Sequence, residues 1–149
     1  MMLSWLFSDP LAVGSDAPAF SLVDDSGRCV TLSDLRGRHV VLVFYPGDDT
    51  PTCTRQLCQF RDSWDQAAAL GVEVFGVNSW SGRRHADFRK KFQFPFALLV
   101  DPGQKVAKAY HANGLAIKRT VYLISPGGRI LFARRGVPSP AEVLAAVEG

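Results

Sequence analysis

The amino-acid sequence predicts an α/β fold in which helices cover both faces of a mixed central sheet. One observation is a continuous run of β-branched and aromatic residues over 39–45, which is typical of a strand buried on both faces. A second is the alternation of strand-like runs with helical patterns between residues 39 and 100. A third is a pair of apolar runs joined by a proline and glycine turn at 126–128, which predicts a hairpin.

Length and composition favour one folded unit. The chain has 149 residues, of which 47% are hydrophobic and 21% are charged. This is enough apolar material for a sizeable core and too much for a disordered chain. The net charge of +3 is too small to indicate nucleic-acid binding, and no run reaches the roughly 18 apolar residues of a membrane span. We therefore expect neither a nucleic-acid partner nor a membrane partner.

The chain divides into an N-terminal arm at residues 1–12 and a single domain at residues 13–149. The arm starts apolar, but it lacks a basic segment, and Asp9-Pro10 interrupts it before any clear cleavage site. We therefore expect a cytoplasmic protein whose arm is packed or frayed, or touches a surface or membrane. Three cysteines are too few for a disulfide scaffold, and a reducing compartment would keep them free.

The first elements of the domain form a hairpin and a central strand. Residues 20–23 and 28–32 flank turn-forming residues at 24–27, which predicts a small β-hairpin. Residues 33–37 form a short helical turn that ends on glycine. The buried strand over 39–45 then follows.

A helix is expected to begin near Thr52 or Cys53 and to run to Ala67 or Ala68, before Gly71 ends it. The apolar residues that recur at helical spacing within it are Leu57, Phe60 and Trp64. The remaining predicted elements are strands at 72–77, 96–100, 120–124 and 129–133, and helices at 82–92, 104–110 and from Ser139-Pro140 onward. This order is the layout of a thioredoxin-like fold with an N-terminal β-hairpin extension.

The window over residues 45–58 carries the chemistry. It lies where a buried strand ends and a helix begins, and reacting groups collect at this edge of α/β sheets. The Cys53 thiol lies in the first helical turn, where unpaired backbone N–H groups and the helix dipole favour the thiolate. The Thr50 hydroxyl can reach the sulfur or a substrate oxygen, while Pro46 and Pro51 fix the backbone. The pattern therefore indicates a nucleophilic sulfur rather than a buried apolar cysteine.

The spacing Pro46-x-x-x-Thr50-x-x-Cys53 is similar to the peroxidatic motif of peroxiredoxins. With the surrounding residues and a second cysteine at Cys58, it resembles the bacterioferritin-comigratory or PrxQ subfamily of the AhpC/TSA superfamily. The resemblance extends from about Val13 to the C-terminus and includes the segments 14–20, 32–37 and 119–124. It implies an antioxidant thiol peroxidase that reduces hydrogen peroxide and organic hydroperoxides, needs no cofactor and is recycled by thioredoxin or a similar dithiol.

The resemblance also implies a role for each matching residue. Cys53 attacks the terminal peroxide oxygen and becomes a sulfenic acid. Thr50 and Arg119 hold the peroxide oxygens and stabilise the charge that moves onto the leaving oxygen. Pro46 shields the sulfenate from water. Gln56 matches a position that is Glu or Gln in the family, mostly Glu, and orders the polar network around the arginine.

Cys58 is expected to resolve the sulfenate as a disulfide within one subunit, so the chain is expected to be a monomer. On an ideal helix, residues five apart have Cα atoms about 8–9 Å apart, beyond the ~7 Å that a disulfide bridges without backbone movement. The first turns of the helix must therefore unwind before the bond forms. The alternative is a structural helix cysteine.

Three further sets of residues carry weaker signals. Trp80 follows a strand at the edge expected to hold the site, where it either packs at the rim or forms an aromatic wall for bulky hydroperoxides. Cys29 is expected to be a buried or partly buried apolar residue of the hairpin. His39, His85 and His111 lack metal-ligand spacing to the cysteines, so we expect solvated or packed histidines and no metal.

Three other functions compete with the peroxidase. A metal or cluster binder using Cys53 and Cys58 lacks the two further ligands that such sites normally have. A thioredoxin-type disulfide carrier uses C-x-x-C, whereas four residues separate these cysteines. An inactive interaction module is disfavoured by the intact set Pro46, Thr50, Cys53 and Arg119.

Overall fold

The computed structural model describes residues 9–147, and within them seven strands form one mixed sheet. The strands are β1 Ser21–Asp24, β2 Cys29–Thr31, β3 His39–Phe44, β4 Val72–Asn78, β5 Ala97–Val100, β6 Thr120–Ile124 and β7 Ile130–Arg135. Their order across the sheet is β2-β1-β5-β4-β3-β6-β7. Strands β3, β4 and β5 are parallel, and each remaining pair is antiparallel. The predicted α/β class and the N-terminal hairpin are confirmed.

Helices cover both faces of this sheet, as expected. They are α1 Pro51–Asp62, α2 Trp64–Ala69, α3 Gly82–Phe92, α4 Lys105–Ala109 and α5 Pro140–Ala145, with 3-10 turns at Leu32–Leu35 and Pro102–Gln104. On β3, Val41 and Val43 face the core that α1, α2, α3 and α5 close. Leu42 and Phe44 face a second core, to which Tyr110 at the end of α4 contributes. This alternation explains why the strand is apolar throughout.

The helix predicted from residue 52 or 53 to 67 or 68 is in fact two helices. The first begins at Pro51, because proline suits the first helical position, where the backbone N–H has no partner. At Ser63, with φ −98° and ψ 10°, α1 ends and α2 starts. Serine favours such helix ends because its hydroxyl competes with helical backbone bonds. Apolar spacing continues across the break, so the periodicity alone could not detect it.

The prediction that Cys29 is buried or partly buried is wrong, since the residue is exposed. Cys29 pairs with Val23 in the β1–β2 ladder, and Val23 is itself 48% exposed. Directly paired residues share one face of a sheet, so both side chains lie on the solvent side of the hairpin. The Cys29 Sγ lies 3.0 Å from Ser21 Oγ.

Most of the arm expected at residues 1–12 lies outside the described residues. Within the described part, the Leu11 amide donates to Tyr122 Oη at 2.9 Å, and Leu11 packs against the second core. In residues 9–147, no helix is long and apolar enough to cross a membrane.

The sheet brings three connections to one edge. Because β3 and β4 are parallel with Phe44 opposite Val77, the segments that follow them start side by side. Because β6 is antiparallel to β3, with Thr120 opposite Phe44, the residues just before β6 reach the same edge. The candidate site lies there.

Candidate active site

The start of α1 positions Cys53. Thr50 precedes the helix in an extended conformation, and its carbonyl accepts the first helical bond from the Thr54 amide at 2.8 Å. Cys53 is therefore the third residue of α1, and its side chain is fully buried. Within the described residues, the Thr50 side chain makes no capping hydrogen bond to the helix. The sulfur thus lies beside a helix N-terminus that keeps its partial positive charge.

Arg119 supplies a full positive charge at the sulfur. Its Nη2 donates to Cys53 Sγ at 3.2 Å, and its Nη1 donates to Gln56 Oε1 at 2.8 Å. Arg119 directly precedes β6, so the pairing of β6 with β3 brings it to the start of α1. Hydrogen bonds from a charged donor are shorter and stronger than neutral ones, so the guanidinium is firmly placed against this sulfur.

Gln56 holds the arginine from the opposite side. It is fully buried one helical turn after Cys53, and its Nε2 donates to the carbonyl of Gly136 at 3.3 Å. The Gly136 amide in turn donates to the carbonyl of Arg119 at 2.8 Å. A carboxylate at position 56 has no hydrogen to give to Gly136. The amide therefore satisfies both neighbours while leaving the charge of Arg119 unneutralised and directed at the sulfur.

Pro46 and Thr50 border an open cleft beside the helix start. Both side chains are half-buried, and the Thr50 hydroxyl donates to the Gly47 carbonyl at 3.4 Å. The cleft has a volume of about 330 Å³, and Trp80 and Ile117 line its other side.

Trp80 packs on the loop that connects β3 to α1. A Cβ atom added at Gly47 would lie 2.5 Å from the Trp80 ring, so the indole lies directly on the glycine backbone. The Arg84 guanidinium carbon lies 4.7 Å from the centroid of the indole. Trp80 thus packs on the loop and lines the cleft; its role as a wall for bulky hydroperoxides stays a prediction.

Cys58 lies in the same unbroken helix as Cys53, and both thiols are free. Its side chain is half-buried against the core, and burial raises the pKa of the Cys58 thiol, with Arg61 opposing and Asp62 adding to that shift. The thiol is therefore held protonated and away from Cys53 while α1 is intact. Among residues 9–147, no group of His, Cys, Asp and Glu has the arrangement of a metal site.

Sequence patterns assigned no role to Asp48, Asn78 and His85, which form a buried polar cluster behind the loop. One signal was available, because Asp48 lies in the loop after β3 and Asn78 ends the neighbouring parallel strand β4. The expectation of solvated or packed histidines is confirmed: His85 is buried, His39 is half-buried and His111 is exposed.

The fold and the site together define a class of protein. A thioredoxin-like sheet carries a buried cysteine at a helix N-terminus, with an arginine on its sulfur and an open cleft along the loop that precedes the helix. This is the arrangement of a thiol-based redox enzyme.

Comparison with known proteins identifies the family. The model of the AhpC/TSA family matches residues 13–133, and the chain belongs to this family, among the peroxiredoxins of the Q and Bcp type. It is 48% identical over 123 residues to a protein named peroxiredoxin Q, chloroplastic, from Oryza sativa subsp. japonica, which covers 80% of this chain and 57% of the rice protein. The chain thus spans a little over half the length of this relative.

Two further relatives match along nearly their whole length. Peroxiredoxin Bcp of Bacillus subtilis (strain 168) is 36% identical over 147 residues, covering 93% of this chain and 94% of that protein. The crystal structure of peroxidoxin BcpB from Mycobacterium tuberculosis superimposes with a TM-score of 0.87 at 29% identity, covering 93% of this chain and 97% of that one. The predicted thioredoxin-like peroxiredoxin fold and the resemblance to this subfamily are confirmed.

Proposed function

We propose that this protein is a thiol-specific peroxidase that reduces hydrogen peroxide and organic hydroperoxides through Cys53. The observation that carries the proposal is the 3.2 Å contact of Arg119 Nη2 with the buried Cys53 Sγ. The Cys53 thiolate attacks the terminal oxygen of the hydroperoxide, the O–O bond breaks, and the leaving oxygen takes a proton to become water or an alcohol. The sulfur is oxidised to sulfenic acid.

The surrounding residues act on the oxygens of the substrate. Arg119 stabilises the negative charge that develops on the leaving oxygen, because it already lies beside the sulfur that attacks the peroxide. The Thr50 hydroxyl holds a peroxide oxygen once it turns from the weak contact with Gly47. Pro46, which lines the cleft beside Thr50, limits the access of water to the sulfenate.

Cys58 then resolves the sulfenate. Its sulfur attacks the Cys53 sulfur, a disulfide forms, and the sulfenic oxygen leaves as water. This step requires the first turns of α1 to unwind, since both cysteines lie on one continuous helix. An external dithiol, with thioredoxin as the candidate, reduces the disulfide. Because the pair lies within one chain, no second subunit is needed, and we propose a monomer acting in a reducing compartment such as the cytoplasm.

Cys58→Ser is expected to stop the cycle after one turnover. With thioredoxin as reductant, the variant consumes one equivalent of hydrogen peroxide and then halts, because the sulfenate has no partner thiol. The measurement is peroxide consumption together with dimedone trapping and peptide mass spectrometry, which places the adduct on Cys53. A single disulfide between Cys53 and Cys58 is expected in the oxidised wild type. A bond from Cys53 to Cys29, or between two chains, contradicts this resolving role.

Trp80→Ala is expected to shift the substrate preference rather than remove activity. The indole forms one wall of the cleft, so its loss removes apolar contact to a bulky substituent and little contact to hydrogen peroxide. We expect the ratio of second-order rate constants for cumene hydroperoxide over hydrogen peroxide to fall about tenfold. Trp80→Phe keeps an aromatic wall and is the matched control. An unchanged ratio in the alanine variant assigns Trp80 to rim packing alone.

A further inference from the structure

A buried polar cluster lies directly behind the loop that connects β3 to α1. The cluster consists of Tyr45, Asp48, Asn78 and His85, and each member is less than 10% exposed. Asp48 belongs to the loop that carries Pro46 and Thr50, whereas Asn78 ends β4 and His85 lies in α3. The proposed reaction uses none of the four side chains.

Asp48 is the centre of the cluster. Its Oδ1 accepts a hydrogen bond from the Tyr45 hydroxyl at 2.6 Å and another from Asn78 Nδ2 at 3.1 Å. Its Oδ2 lies 2.6 Å from His85 Nδ1. Burial, together with the neighbouring Asp48, raises the pKa of Tyr45 well above its ordinary value, so the hydroxyl stays protonated and donates.

The hydrogen atoms of the histidine follow from its acceptors. His85 Nε2 lies 2.8 Å from the carbonyl oxygen of Leu99, which can only accept, so Nε2 carries a hydrogen. One further hydrogen lies between Nδ1 and Asp48 Oδ2, on either atom. Asp48 and His85 together are neutral in both cases, which removes the cost of a net charge in the interior.

This cluster fixes the loop to three other elements. Through Asp48 the loop is tied to β4 by Asn78, to α3 by His85 and, through the ring of His85, to the Leu99 carbonyl of β5. The next residue, Asp49, has φ +57°, a conformation uncommon for a residue other than glycine. The contacts of Asp48 with Asn78 and His85 therefore hold the loop backbone in this uncommon conformation. A further contact of the loop, the ion pair of Lys91 Nζ with Asp49 Oδ2 at 2.7 Å, lies at the exposed surface.

We propose that Asp48, held by His85, is a positioning residue for the peroxide step. It sets the places of Pro46 and Thr50 relative to Cys53 without touching the substrate. The inference rests on the proposed function, since it concerns the rate at which Cys53 reacts with peroxide.

Two substitutions at one position test the inference. Asp48→Ala removes every contact of the cluster to the loop, and we expect the second-order rate constant for oxidation of Cys53 to fall about 10–100-fold, because displacements near 1 Å cost this much. Asp48→Asn keeps the contacts: its amide donates to a neutral His85 Nδ1, and its oxygen accepts from Tyr45 and Asn78. Its rate is expected to stay within about threefold of the wild type.

The rate is measured in a single turnover with hydrogen peroxide on folded protein, and thermal unfolding is recorded alongside. Lys91→Ala, which cuts the surface ion pair with Asp49 and a cation–π contact with Phe92 but leaves the buried cluster intact, is the control and is expected to keep the wild-type rate. If Asp48→Ala does not fold, Tyr45→Phe replaces it, with an expected loss of severalfold. A wild-type rate in Asp48→Ala, or in Tyr45→Phe where it is used, overturns the inference, as does an equal loss in Asp48→Asn. A wild type that never oxidises Cys53 contradicts the proposed function instead.

Discussion

Cys53→Ser is expected to lower peroxide turnover to the background of the uncatalysed reaction. A serine hydroxyl at this position stays protonated at neutral pH and cannot form the sulfenic acid that carries the oxygen. We expect neither remaining thiol to replace it, because Cys29 has no arginine contact like that of Cys53 in the described residues and Cys58 is held protonated against the core. Turnover is measured as peroxide consumption coupled to thioredoxin and its reductase.

The matched control for this variant is Cys29→Ser. It makes the same chemical change at an exposed thiol whose nearest polar contact is Ser21. We expect full turnover from Cys29→Ser. Substantial turnover in Cys53→Ser would show that another group reduces the peroxide.

Arg119→Met is expected to have the second largest effect. The change keeps most of the side-chain length but removes the donor to Cys53 Sγ and the donor to Gln56 Oε1. Loss of one preorganised donor at a developing charge costs about 10²–10³ in rate, or roughly 3–4 kcal/mol. We expect the second-order rate constant for Cys53 oxidation to fall by this amount, as followed by stopped-flow fluorescence.

Two further variants separate the contact from general charge effects. Arg119→Lys keeps the charge but not the two-pronged contact, and an intermediate rate is expected. Arg83→Met removes an exposed cation from α3 and is expected to react at the wild-type rate. Equal losses in Arg83→Met and Arg119→Met would indicate that only the net charge of the protein matters.

The sequence alone predicts the fold well, because its signals are local. Three such signals lie within a few residues of the element they mark. The apolar run predicts the buried strand β3, Gly71 ends the helical segment that precedes this glycine, and Ser139-Pro140 starts α5. The break at Ser63 escapes these rules, since the apolar spacing continues on both sides of it. The exposure of Cys29 escapes them too, because it depends on which face of the hairpin points to water.

The site is predictable only in part. The placement of Cys53 at a helix start follows from the strand and helix signals around it. The contact with Arg119 depends on the pairing of β6 with β3, which no local pattern shows, so only the family resemblance pointed to it. The pairing of Asp48 with His85 joins residues 37 positions apart through the packing of α3. Neither residue type predicts which residue it contacts.

Oxidation by less than one equivalent of hydrogen peroxide, mapped residue by residue, tests most directly whether charge and not exposure selects the reacting sulfur. The wild-type chain provides its own comparison, since Cys53 is fully buried beside Arg119 while Cys29 is exposed without such a contact in the described residues. We predict that mass spectrometry finds the first oxidation at Cys53, as a sulfenate or its disulfide with Cys58. First oxidation at Cys29 would contradict the account.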